Sequence, residues 1–263
     1  DTVTARPGDG LSLTVSGEGA DVVPRDRRNL VWRAAELLAD AAGVPADADL
    51  AIDKSIPAAA GLAGGSADAA AALVALDALW GTRAGRTELA GLAAQLGSDV
   101  PFSLLGGVAL GSGRGEQLSP VLARTRWHWV LGIAGEGLAT PSVYAELDRL
   151  RTAGRVPDGT DLAPVEAVIA ALRGGPVEAL AAALVNDLQA PALALRPELR
   201  RALAAASEAG AAGALVSGSG PTVAALAADE RSAVRLTAEL AGAGAFRTVR
   251  PVHGPVPGAR VVG

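Results

Sequence analysis

The chain has 263 residues, half of them hydrophobic and 19% charged, which suits one large or two ordinary packed domains and argues against wholesale disorder. Its net charge of -5 argues against a nucleic-acid partner, and the lack of cysteine excludes disulfides and thiolate metal sites and fits a cytoplasmic location. No apolar stretch approaches the roughly 18 residues that a membrane helix needs, so we expect no membrane partner.

The first half of the chain mixes predicted strands and helices. Alternating polarity predicts a strand over residues 11–17, and a second strand over 49–57 is stopped by Pro57. Helical spacing predicts helices over 28–43, from about 66 to 80, and over 86–97. The segment 98–116 holds too much Gly and Pro for a helix, so we expect a loop there with a strand around 107–110.

The second half of the chain begins with a predicted strand at Trp127. We expect helices near 142–151, 161–172, 176–184, 196–208 and 231–241, and strands at 214–217, 222–227 and 247–252. Helices and strands are mixed in both halves, which predicts an α+β fold with two domains, residues 1–122 and 123–263.

A glycine-rich loop stands directly before the helix predicted to begin near residue 66. A helix N-terminus exposes unpaired N–H groups and about half a positive charge, and Gly61, Gly64 and Gly65 would let the backbone approach a ligand closely. This pattern predicts an anion site, most often a phosphate site, in which Ser66 caps the helix or offers its hydroxyl to a phosphate or Mg²⁺. The alternative is a plain loop in a chain with 33 glycines.

Two charged residues flank this loop. Lys54 is the only lysine beside 22 arginines; it is either a leftover of codon drift or a compact ammonium kept where a guanidinium would not fit. Asp68 suits the helix dipole but would repel a phosphate, so it points away from the phosphate or shares a metal with it. Stabilisation of the helix is the simpler interpretation.

Three segments resemble the GHMP small-molecule kinases. Residues 57–70 resemble their phosphate loop, and 215–226 resemble their glycine-rich C-terminal motif. Residues 96–120 are similar to the branch that uses ATP to phosphorylate the C2 hydroxyl of 4-diphosphocytidyl-2-C-methyl-D-erythritol in the non-mevalonate isoprenoid pathway. The resemblance covers essentially the whole chain and implies two α+β domains with the active site in the cleft between them.

The resemblance also implies the residues that contact the substrate. Asp99 matches the catalytic aspartate, Lys54 matches a substrate-side lysine, and Thr140 and Pro141 match a stretch that lines the substrate pocket. An ordinary aspartate is a weak base in water, so we expect Asp99 mainly to orient the hydroxyl and to take its proton late in the transfer.

The two glycine loops are expected to contact ATP and to close the site. Gly218, Ser219 and Gly220 match the second glycine loop of the family. The residues expected to wrap the ATP phosphates are Pro57, Ala58, Ala59, Ala60, Gly61, Leu62, Ala63, Gly64, Gly65, Ser66 and Ala67.

The implied cofactors are ATP and Mg²⁺, and the implied partner is a small-molecule substrate. No cluster of His, Asp and Glu has metal-ligand spacing, so we expect no metal site built by the protein alone and a Mg²⁺ that arrives with ATP and keeps several waters. Asn186 and Asp187 are expected to form an N-cap pair, and His128 to be a packing or strand-face residue. The sequence assigns no oligomeric state.

Family members begin with a strand that carries another lysine and an asparagine, followed by a Tyr-His pair that holds the cytosine. Nothing in these 263 residues matches that segment, and the sequence has no methionine, so we expect that the chain starts inside a longer gene product or that its start was processed away. Two alternatives stay open. One is a kinase of the same superfamily that acts on homoserine, mevalonate or a sugar, and the other is a nucleotide-binding module without catalysis.

Overall fold

The computed structural model describes residues 1–58, 60–135, 137–157 and 165–262. Its contacts divide the chain into two compact units. Unit 1 contains Asp1–Ala58, Ala63–Val121 and Val256–Gly263, and unit 2 contains Ala59–Leu62 and Leu122–Pro255. The domains expected over 1–122 and 123–263 stay a prediction.

Unit 1 is built on a three-stranded sheet. Its elements are β1 (Thr2–Arg6), β2 (Leu11–Gly17), α1 (Leu30–Ala42), β3 (Ala48–Lys54), α2 (Gly64–Trp80), α3 (Arg86–Leu96), α4 (Val100–Leu105), β4 (Ala109–Ser112) and β5 (Gln117–Pro120). The sheet has the order β1-β3-β2, in which β3 is antiparallel to β1 and parallel to β2. The strands β4 and β5 form a separate antiparallel hairpin.

The central strand β3 alternates between buried and exposed residues along its whole length. Ala48, Leu50 and Ile52 face the core of unit 1, and the same alternation continues to Lys54, whose side chain is therefore also buried. Helix α2 packs against this core through small residues such as Ala69 and Ala70, so the backbone of α2 approaches its neighbours closely. The strand and the helix fix the two ends of the segment 55–63 that joins them.

Unit 2 is built on a four-stranded antiparallel sheet. Its elements are β6 (Trp127–Ile133), α5 (Thr140–Thr152), α6 (Val165–Leu172), α7 (Val177–Ala183), α8 (Gln189–Leu195), α9 (Leu199–Glu208), β7 (Gly213–Val216), β8 (Thr222–Ala227), α10 (Glu230–Gly242) and β9 (Thr248–Gly254). The strand order is β7-β8-β6-β9. Buried residues of β6 and β8 pack against α9 and α10 to form the main core of this unit.

One predicted element is wrong and three were missed. The segment 98–116 was expected to lack a helix, but α4 forms because Pro101 stands in the first turn, where proline is tolerated, and because Val100 and Pro101 are buried. The sequence analysis also missed β1, β5 and α8. The expected helix over 161–172 is observed from Val165, and residues 161–164 lie outside the described part of the chain.

No helix in the described ranges combines the length and the hydropathy that crossing a bilayer requires.

Candidate active site

Helix α2 begins with two glycines whose backbone amides point to a possible ligand site. The helix starts at Gly64, and Ala63 occupies the N-cap position in a left-handed conformation with φ of 51°. The N–H groups of Ser66 and Ala67 both donate to the carbonyl of Ala63 at 3.0 Å. The N–H groups of Gly64 and Gly65 have no acceptor among the described residues. Two such donors at the positive end of a helix dipole are suited to binding an anion.

Ser66 is not the helix cap that the sequence suggested. It lies in the first turn of α2 rather than before it, and no side chain caps this helix. Its half-exposed hydroxyl has no hydrogen-bond partner within the described ranges. The hydroxyl is therefore free for a ligand, which was the other role expected of it.

The middle of the phosphate loop, Ala60–Leu62, belongs to unit 2 and is bound there by side chains of the second glycine motif. The Thr222 hydroxyl donates to the carbonyl of Ala60 at 2.6 Å, and the Ser217 hydroxyl donates to the carbonyl of Gly61 at 3.2 Å. The expected ATP contact Ala59 lies outside the described residues.

Gly61 has no room for a side chain. Its φ is +73°, a conformation that L-residues rarely adopt. A Cβ atom at this position would lie 2.7 Å from the carbonyl oxygen of Gly220 and 2.8 Å from that of Ser217. The close contact between these two glycine-rich segments therefore depends on glycine at position 61.

The second glycine loop is joined to the start of α5 through two hydroxyl groups. Ser219 is 6% exposed, and its Oγ lies 3.0 Å from Oγ1 of Thr140, the first residue of α5. Pro141 follows in the first turn and is exposed. The structure thus brings together two of the stretches that were predicted separately, while their contact with a substrate stays a prediction.

Asn186 is a site residue that the sequence analysis missed. Its Nδ2 donates to the carbonyls of Val216 at 2.7 Å and Gly218 at 2.8 Å, so its amide holds the backbone where it enters the second glycine loop. Its Oδ1 accepts from the N–H of Leu188 at 3.0 Å, and Leu188, not Asn186 or Asp187, is the N-cap of α8. The local pattern signalled only a turn, because the two carbonyls come from a part of the chain 30 residues away or more.

Asp99 presents a free carboxylate at the start of α4. It is exposed, and its carboxylate has no hydrogen bond or ion pair within the described residues. Its backbone carbonyl accepts from both the N–H and the hydroxyl of Ser103 at 3.1 Å. Helix α4 packs against α2 and α3, which fixes the position of Asp99 within unit 1.

Asp68 and Lys54 form a buried ion pair. Asp68 lies in the second turn of α2, so the expected interaction with the helix dipole in the first turn is wrong. The Lys54 ammonium donates to Oδ2 of Asp68 at 2.7 Å, and both side chains are almost fully buried. Burial raises the pKa of the Asp68 carboxyl above its ordinary value, and the hydrogen bond and charge of Lys54 oppose that rise. The substrate contact expected of Lys54 stays a prediction.

Comparison with known families identifies the fold. Residues 29–107 match the GHMP kinases N terminal domain, and residues 168–245 match the GHMP kinases C terminal domain. The two matches together cover more than half of the chain. The chain belongs to the GHMP kinases. The family assignment confirms the predicted α+β fold with N- and C-terminal domains. It also confirms the prediction that the protein is an ATP-dependent small-molecule kinase.

Two curated relatives of this GHMP kinase carry the same name. The 4-diphosphocytidyl-2-C-methyl-D-erythritol kinase of Rhodococcus jostii is 57% identical over 262 residues, which cover 100% of this chain and 83% of the relative. The protein of the same name from Mycobacterium tuberculosis is 55% identical, with 100% and 81% covered.

Solved structures agree with the family assignment. A crystal structure of 4-(cytidine 5'-diphospho)-2C-methyl-D-erythritol kinase is 36% identical with a TM-score of 0.73 and covers 98% of this chain and 86% of its own. The homoserine kinase of Cytophaga hutchinsonii has a TM-score of 0.77 over the same shares at 17% identity, which shows a shared fold alone.

Replacing Gly61 by alanine, which adds a single methyl group, should raise the KM of this kinase for ATP. We expect Gly61→Ala to raise the KM for ATP at least tenfold, about 1.4 kcal/mol, because the new Cβ would meet two carbonyl oxygens. Steady-state kinetics and thermal unfolding would measure the effect. The matched control is Gly81→Ala at the other end of α2, where φ is +64° and nothing lies within 4 Å. An unchanged KM for ATP in Gly61→Ala would contradict the requirement for close contact.

Proposed function

We propose that this GHMP kinase transfers the γ-phosphoryl group of ATP to the C2 hydroxyl of 4-diphosphocytidyl-2-C-methyl-D-erythritol, a step of the non-mevalonate isoprenoid pathway. The observation that carries this proposal is the 57% identity, over the whole chain, to a relative that bears the name of this activity. The residues proposed to act are those whose geometry is described above.

The start of α2 is proposed to bind the phosphates of ATP. The free N–H groups of Gly64 and Gly65 would donate to phosphate oxygens, and the helix dipole would favour their negative charge. Neither position carries a side chain that could keep the phosphates away from the backbone. Backbone donors held by a packed helix need no rearrangement when charge develops on the transferred group.

The described residues fit a Mg²⁺ ion that arrives with ATP. No group of three or more His, Asp or Glu side chains in the described ranges is placed to hold a metal ion. Mg²⁺ bound with a nucleotide usually keeps several waters and is held by substrate phosphates with one or two carboxylates. A serine or threonine hydroxyl is a further Mg²⁺ ligand in P-loop enzymes, and we propose that the Ser66 hydroxyl would hold the ion, which supplies charge neutralisation at the phosphates.

Asp99 is proposed as the base for the acceptor hydroxyl. Because its carboxylate has no partner among the described residues, both oxygens are available to accept the hydroxyl proton. The packing of α4 on α2 fixes the backbone from which the Asp99 side chain projects. Asp99 would orient the hydroxyl for attack and take its proton late, as the new P–O bond forms.

The hydroxyl pair of Thr140 and Ser219 is proposed to shape the substrate pocket together with Pro141, Gly218 and Gly220. The amide of Asn186 supports this arrangement because it binds the backbone on both sides of Ser217. The absence of cysteine favours a reducing compartment, so we propose a cytoplasmic protein whose partners are small molecules rather than nucleic acid or membrane.

The proposal predicts ADP release from Mg-ATP when 4-diphosphocytidyl-2-C-methyl-D-erythritol is supplied. A coupled assay with the intact protein measures this release, and a panel with homoserine, mevalonate and sugars provides the comparison. We expect turnover with the first compound only, and protection of the protein against heating by cytidine nucleotides. Turnover with another alcohol instead, or with none, would contradict the proposed acceptor.

Replacing Asp99 by asparagine should remove the base and keep ATP binding. We expect Asp99→Asn to lower kcat by roughly 100-fold or more, the scale of general base catalysis, with little change in ATP affinity or melting temperature. The matched control is Asp40→Asn, which changes an exposed aspartate of α1 in the same unit and should leave kcat unaltered. Full turnover in Asp99→Asn would remove this residue from the mechanism.

A further inference from the structure

Three charged side chains are buried together in unit 1 and form what we call the Lys54 cluster: Lys54, Asp1 and Asp68. The Lys54 ammonium donates to Oδ2 of Asp68 at 2.7 Å and also to Oδ2 of Asp1. All three side chains are 2–3% exposed. The only lysine of the sequence therefore lies in the interior of unit 1, whereas isolated lysines are usually solvated surface residues.

The two carboxylates of the Lys54 cluster hold the two ends of the phosphate loop. Oδ1 of Asp1 accepts from the N–H of Ser55 at 2.6 Å and from that of Ile56 at 2.7 Å, the two residues that lead into Pro57. Asp68 directly follows Ala67, the last residue of the loop. One ammonium thus connects the strand that enters the loop to the helix that leaves it.

Gly64 lies against the same ammonium. A Cβ atom at Gly64 would be 3.0 Å from Cγ2 of Ile56 and 3.3 Å from Nζ of Lys54. The residue that carries one of the free amides is therefore packed on the Lys54 cluster. That a compact ammonium was kept here where a guanidinium would not fit stays a prediction.

Stabilisation of the folded state does not explain the Lys54 cluster well. It holds two carboxylates and one ammonium, and Oδ1 of Asp68 is buried without a hydrogen-bond partner among the described residues. Buried charges of this kind often stabilise a fold less than apolar residues of similar size would. What the cluster does supply is a fixed geometry at both ends of the loop.

We propose that Lys54 is a positioning residue for ATP: through Asp1 and Asp68 it holds the phosphate loop so that the Gly64 and Gly65 amides are ordered before the nucleotide binds. This role differs from the substrate contact implied by the family resemblance. The inference rests on the kinase function proposed above only in that the protein binds ATP, and it does not depend on which alcohol is phosphorylated.

The expected effect follows from the fraction of molecules with an ordered loop. If that fraction falls tenfold when the connection is cut, the apparent Kd for ATP rises tenfold, while the affinity for the acceptor is unchanged. A residue that contacts the acceptor would produce the opposite pattern. Affinity for each ligand therefore separates the two roles of Lys54.

The test is isothermal titration of a non-hydrolysable ATP analogue with Mg²⁺ into the intact protein and three variants. In Lys54→Met both carboxylates lose the ammonium. In Lys54→Met/Asp68→Asn neutral side chains replace the Lys54–Asp68 ion pair, while Asp1 keeps its two backbone donors. We expect both to bind the analogue about tenfold more weakly than the wild type, although the double variant recovers much of the thermal stability that the single variant loses. A purely structural role would make affinity and stability recover together.

The matched control is Asp77→Asn, at the far end of the same helix. The Asp77 carboxylate accepts from the hydroxyl of Thr82 and from the N–H of Ala84 at 2.8 Å, so its loss affects stability away from the loop. We expect this variant to bind the analogue within twofold of the wild type. An equal loss of affinity for the analogue in Asp77→Asn and Lys54→Met would overturn the proposal, since general destabilisation of the protein would then explain both losses.

Two further results would overturn the positioning role. The first is wild-type affinity for the analogue in both Lys54 variants. The second is unchanged affinity for the analogue with a raised KM for the acceptor, which would make Lys54 a substrate contact. A wild-type protein that binds the analogue but does not phosphorylate the diphosphocytidyl compound would refute the proposed acceptor and leave this comparison valid. Absence of binding by the wild type would refute both.

Discussion

The kinase chemistry proposed for this protein depends on two backbone N–H groups at the start of α2. In the described part of the chain, the Gly64 and Gly65 amides at the start of α2 have no partner, because the first amides of a helix have no carbonyl one turn earlier to donate to. A backbone amide keeps its position only if its helix does. The small and apolar residues along the buried face of α2 supply that rigidity, and glycine at the first two positions leaves the amides accessible.

The side chains around the two glycine motifs mostly act on backbone groups rather than projecting toward a ligand. In unit 2, Thr222 and Ser217 bind the carbonyls of Ala60 and Gly61, and Asn186 binds two carbonyls around the second glycine loop. In unit 1, Asp1 binds two backbone amides directly before the phosphate loop. A glycine-rich backbone has little preference for one conformation, so these polar contacts are what select it.

The sequence predicted most of the fold because its elements have clear periodicity. The strand Leu11–Gly17 is observed over the predicted residues, and α1, α2 and α3 differ from prediction by no more than two residues at either end. Helix α4 was missed because burial of Val100 and Pro101, which local composition does not reveal, outweighs the Gly and Pro content of its surroundings.

The motifs located the two glycine loops and Asp99, whereas Asn186 and the pairing of Lys54 with Asp68 and Asp1 were missed. These contacts join residues at least 14 positions apart, so no local pattern signals them. The burial of Lys54 could nevertheless have been predicted, because the alternation of buried and exposed residues in β3 places residue 54 on the same face as Leu50 and Ile52.

The most direct test is a crystal structure of the protein with a non-hydrolysable ATP analogue and Mg²⁺. The account predicts that oxygens of the β- or γ-phosphate lie within hydrogen-bond distance, about 2.7–3.2 Å, of the amide nitrogens of both Gly64 and Gly65. Phosphates bound elsewhere on the protein, with these two amides in contact with water, would contradict it.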